Sequence, residues 1–69
     1  MTRHPASTQL LRYFTWQHLP PHLQEVSKLS ADLAHEMYHR LPDGPELTTG
    51  LRKLLEAKDC FVRASLDAS

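Results

Sequence analysis

His35-Glu36-Met37-Tyr38-His39 sets two imidazoles four residues apart with a carboxylate between them. On a helix that spacing puts both rings on one face, where they can hold zinc while the glutamate activates a bound water. Catalytic zinc also needs a third protein ligand and a cleft. The surrounding residues argue for a solvated face instead, because both histidines fall opposite Leu33 and Met37. Cys60 is the only cysteine and has no predictable His or Asp partner, so it reads as a buried or interface thiol and not a nucleophile. Gly44 and Gly50 make no phosphate-cradling loop. No metal, cofactor or catalytic residue is expected, and the chain does not read as an enzyme.

A second cluster offers binding chemistry. Arg12, Tyr13, Phe14, Trp16 and His18 lie within a short arm closed by Pro20 and Pro21. Phe14 is expected to pin this arm to the rest of the fold. Trp16, between Thr15 and Gln17, is expected to present a flat ring. Aromatic faces stack on nucleobases, and neighbouring Arg or Lys hold phosphates through charge-assisted hydrogen bonds.

The elements that must position these groups are helical. Ser7 is a candidate cap for a short helix over about 8–13, with 1–7 a flexible tail and 8–69 a single domain. Leu19-Pro20-Pro21 interrupts it, since a residue before proline leaves the helical region while proline itself suits a helix's first turn. A long helix is predicted over about 21–41, with Leu23, Val26, Ser30, Leu33, Ala34, Met37 and Leu41 as its apolar face. Pro42-Asp43-Gly44-Pro45 stops it and turns the chain. A third helix is predicted over about 45–66. It has one stripe of Leu47, Leu51, Leu54, Ala57, Phe61 and Ala64, and a second stripe of Leu55, Val62 and Leu66. The short link makes the two long helices antiparallel. Gly50 weakens its helix by roughly 1 kcal/mol relative to alanine and suggests a close approach there.

Composition narrows the function. A 69-residue chain with one cysteine has no disulfide to support a small core, which leaves self-association as the route to more buried area. The single thiol suits a reducing interior, and neither a spanning segment nor a signal peptide's apolar core is present, so a cytosolic location is expected. Eight basic residues balance eight acidic ones, with five histidines. That balance disfavours long nucleic acid as a partner, although a small anion needs only local positive charge. The alternative class is a small helical protein-interaction or DNA-binding adaptor reading through Arg52, Lys53, Lys58 and Arg63. Glu56 and Asp59 interrupt that face.

Phe14-Thr15-Trp16-Gln17-His18-Leu19-Pro20, then Asp32-Leu33-Ala34, Leu41-Pro42, Glu46 with Thr48, and Leu54 with Glu56-Ala57 resemble, in order and spacing, a family of small phage proteins. These defeat the bacterial CBASS defence by sequestering its cyclic-oligonucleotide signals. The resemblance covers about residues 12–66. It implies an all-α fold, a short N-terminal helix before a long antiparallel hairpin, assembled as a homohexamer. It implies a non-catalytic sponge that holds cyclic dinucleotides, such as cyclic GMP-AMP, between protomers in the cytoplasm of the infected host. Trp16 falls at the stacking position, where the family has tyrosine. The phosphate-binding position falls at Ser27 or Lys28, with Arg12 as a second cation and His18 or Thr48 as polar contacts. The family's arginine for cyclic trinucleotides aligns with Asp67, and Arg63 lies one turn earlier. Asp67 would repel a phosphate, which favours dinucleotides over trinucleotides here.

Overall fold

Prolines set most of the helix limits. A computed structural model of the chain describes residues 5–68, and all of its regular structure is helical. Helix α1 spans Pro5–Leu11 and runs into a 3₁₀ turn, Arg12–Phe14. Helix α2 spans Pro21–Arg40 and α3 spans Pro45–Ala68, so both begin on a proline. The Pro20 carbonyl accepts the amides of Leu23 and Gln24, at 2.9 and 3.0 Å. The Gln24 side chain then reaches back to donate to the Leu19 carbonyl at 2.7 Å and the Gln17 carbonyl at 3.2 Å, which ties the arm to α2. At the other end Leu41 is extended, as its position before Pro42 requires. The link is short and α2 and α3 lie antiparallel, giving a body of 43 × 19 × 17 Å.

The first helix starts earlier than the sequence suggests. Residues 5–7, assigned above to a flexible tail, are already helical, and residues 1–4 lie outside the described part. Ser7 is therefore not a cap. It is buried inside α1, where its hydroxyl donates to an Asp43 carboxylate oxygen at 3.3 Å and shares a 2.9 Å hydrogen bond with Thr48. Thr8 and Tyr38 pair their hydroxyls at 3.1 Å. These bonds fasten α1 to the turn and to both long helices. A buried hydroxyl is tolerated when it is satisfied in this way.

Phe14, Ala31, Ala34, Tyr38, Leu47 and Leu51 make the core, edged by Leu10, Leu11, Trp16, Leu54 and Leu55. Phe14 is 1% exposed and anchors the arm as expected. The buried face of α2 matches the predicted one in part: Leu23, Ser30 and Ala34 turn inward as expected, joined by Ser27, Ala31 and Tyr38, while Leu33, and Leu41 just past the helix, turn outward. The two stripes are neighbours on one helix, and the one with small residues faces in. Alanine and serine let α3 and the Phe14 ring come close, where a row of leucines would not fit. Among the described residues, the large apolar side chains left outside are Tyr13 on the arm, Leu29 (73% exposed), Leu33, Leu41 and, on α3, Phe61 (55%) and Leu66. An alanine Cβ at Gly50 would meet nothing within 4 Å, so no element of this chain exploits that glycine. Among the described residues no helix is long and apolar enough to cross a membrane.

Candidate functional site: a basic groove between the arm and the last helix

The end of α3 lies beside the start of α2 because the hairpin is antiparallel. The arm crosses that end of the molecule, and a groove opens where the three segments meet. It has a volume of about 390 Å³. The arm contributes Arg12, Tyr13, Thr15, His18 and Leu19, α2 contributes Ser27, and α3 contributes Lys58, Asp59, Val62 and Arg63. On α3 these four residues follow helical spacing and share one face.

The charges are unequal. Three cations, Arg12, Lys58 and Arg63, stand against one carboxylate, Asp59, whose nearer oxygen lies 3.4 Å from the Lys58 ammonium. Arg12 has no ion-pair partner among the described residues. Among the described residues, Arg63 donates a hydrogen bond only to the sulfur of Cys60, at 3.3 Å, a thiol that is exposed in the single chain and not buried. Both guanidiniums therefore keep donors for a bidentate anion such as a phosphate. Tyr13, 62% exposed, supplies a ring at the groove's edge.

Ser27 supplies the sharpest anomaly. Its side chain is 0% exposed and its hydroxyl has no hydrogen-bond partner among the described residues, yet it lines the groove. An orphaned buried hydroxyl costs about 1–3 kcal/mol, a burden compatible with a donor held for a ligand. Ser27→Ala is accordingly expected to raise stability by about 1 kcal/mol, read as a higher midpoint in urea. A lowered midpoint would mean that the hydroxyl is satisfied in solution and is no ligand donor.

Of the residues singled out from sequence, Arg12, His18, Ser27 and Arg63 come together in this groove. Trp16 does not. It is half-buried against the core, lines a separate cavity of about 100 Å³ with Asp32 and His35, and carries the Lys28 ammonium 5.8 Å from its ring centre. Lys28 is also paired with Asp32 at 2.8 Å. Thr15 lines both cavities, whereas Trp16 lines only the smaller one and Lys28 lines neither. The ring within the groove is thus Tyr13, where the sequence had favoured Trp16. Thr48 is remote. It sits in the first turn of α3, bonded to Ser7, about 22 Å along the helix from Arg63. Lys58 and Tyr13 also line the groove; the sequence puts Tyr13 in the arm's cluster and Lys58 on the alternative DNA-reading face without assigning either to the ligand. The spacing of Lys58, Val62 and Arg63 was the available signal for α3, but only the packing shows which side of α3 meets the arm.

His35 and His39 are exposed, and Glu36 is held by Arg40 at 2.6 Å. Among the described residues no third His, Cys, Asp or Glu joins them into a metal-holding group. Compared with known proteins, the chain matches no family model, no curated protein and no solved structure, so the reading of this groove rests on its own residues.

Proposed function

We propose that this chain is a non-catalytic, phage-encoded sponge that captures the cyclic dinucleotide signals of CBASS immunity in the cytoplasm of an infected bacterium. The observation that carries the reading is the convergence of Arg12, Lys58 and Arg63 on one groove that also holds the Tyr13 ring and the unsatisfied Ser27 hydroxyl. A cyclic dinucleotide presents two phosphates, two base faces and several sugar oxygens. Guanidinium, aromatic ring and hydroxyl are the complementary groups. Sequestration asks only that the ligand be held intact and tightly.

The groove of one chain, about 390 Å³, is near the small end for ligand sites. A second copy would enlarge and close it. The molecule has a surface suited to that copy: Val26, Leu29, Leu33 and Phe61 line an apolar trough. Leu54 joins that trough to a second one beside Met37, Leu41 and Gly50. Continuous apolar surface on so small a chain favours assembly, with a hexamer as the proposed form. Pockets built by assembly are pre-organised, which lowers the ordering cost of binding.

Isothermal titration with a panel of cyclic dinucleotides, paired with native mass measurements, tests both parts. Expected results are an oligomer before ligand is added, tight binding of at least one cyclic dinucleotide, and recovery of that ligand unaltered. A folded oligomer that gives no heat with any of them would sink the sponge. A stable lone subunit would sink the shared pocket.

A further inference from the structure

We propose that His35 and His39 form a two-point chelating site for a copper(II) ion on the outer face of α2, separate from the basic groove. The two histidines lie one turn apart in an unbroken helix of 20 residues. Their rings are stacked with centroids 6.5 Å apart and planes inclined by 24°. Both residues are exposed, and no hydrogen bond among the described residues occupies a ring nitrogen of either. Tyr38 meets the His39 ring edge-on with centroids 5.3 Å apart, which limits how that ring turns.

Side chains four apart on a helix start about 5–6 Å from each other at Cβ. Small rotations of two solvent-facing imidazoles therefore bring one nitrogen from each to a shared ion, and the helix holds the pair in register beforehand. The nearby carboxylates each sit beside a cation, Glu36 beside Arg40 at 2.6 Å and Asp32 beside Lys28 at 2.8 Å. The protein thus supplies two nitrogens and leaves the other positions open to water or to an added chelator. Imidazole donors and open tetragonal positions suit copper(II), which also leads the divalent series in affinity, with nickel(II) and zinc(II) weaker. The His-Glu-x-x-His pattern keeps its chelating spacing here without the third ligand that hydrolysis needs.

Titrating the full chain with copper(II)-iminodiacetate, followed by electron paramagnetic resonance, reads the site directly. The expected spectrum reports two coordinated imidazoles per bound ion. His35→Ala and His39→Ala should each convert it to a single imidazole and weaken binding on the order of a hundredfold, because chelation becomes attachment at one point. His22→Ala should leave it unchanged. Circular dichroism confirms that each variant keeps its helices. A wild-type spectrum with only one imidazole, or copper binding that survives both single substitutions, would overturn the proposal.

Discussion

Phe14→Ala is expected to leave the chain largely unfolded near room temperature. The ring is 1% exposed and sits against Ala31, Ala34, Tyr38, Leu47 and Leu51. Deleting a buried phenylalanine costs about 3–5 kcal/mol, and a domain this small has a total stability of only a few kcal/mol. The site also collapses poorly. Ala31 and Ala34 have no longer side chain to swing into the gap, so the cavity persists. The arm would come loose with the ring, and Arg12, Tyr13 and His18 would leave the groove with it. Urea unfolding followed by circular dichroism provides the measurement. Phe61→Ala is the matched control: that ring is 55% exposed in a single chain, so its removal should change dilute-chain stability little while weakening self-association. If Phe14→Ala melts like the parent, the arm does not pack as described.

The double reversal Arg12→Glu with Arg63→Glu should abolish cyclic dinucleotide binding under conditions where the parent saturates. A hydrogen bond to a charged group contributes about 1.5–3 kcal/mol. Losing two gives about 3–6 kcal/mol, which at 1.4 kcal/mol per tenfold is a fall of a hundredfold or more. Two new carboxylates facing the phosphates add repulsion. The fold should survive, because both arginines are exposed and their only partner among the described residues is the Cys60 sulfur on Arg63. Titration calorimetry on the variant, with circular dichroism alongside, separates lost binding from lost structure. Tyr13→Ala should weaken binding by about 1–3 kcal/mol if its ring stacks on a base. Thr48→Ala should leave affinity intact, since Thr48 lies at the opposite end of α3. Undiminished affinity in the double reversal would remove this groove from the function.

The hairpin itself was legible. Pro20-Pro21, Pro42 and Pro45 mark the helix limits through local covalent effects, the fixed φ and missing amide of proline, and those effects do not depend on what the helix packs against. Phe14 as the arm's anchor was legible too, as a large apolar ring beside two leucine-rich helices. The start of α1 was not, because Ser7 suits a cap locally and only its bonds to Asp43 and Thr48 make a buried position favourable. The inward face of α2 was read only in part: Leu23, Ser30 and Ala34 are buried as expected, while Ser27, Ala31 and Tyr38 take the places given to Val26, Leu33 and Met37. Periodicity reports that apolar residues recur, and Val26, Leu33 and Met37 recur at helical spacing as well as Ala31, Ala34 and Tyr38 do.

Taken alone, the amino-acid order determined three helices, their junctions and a surplus of apolar surface, because backbone constraint and side-chain character act within a few residues of each other. Tertiary packing decided which stripe of α2 turns inward, since that depends on the shape of α3 and of the Phe14 ring opposite. It also decided that Arg12 meets Lys58 and Arg63 while Trp16 and Thr48 stay apart. Residues from the two ends of a chain become neighbours only through the way its helices cross, and no local spacing records that.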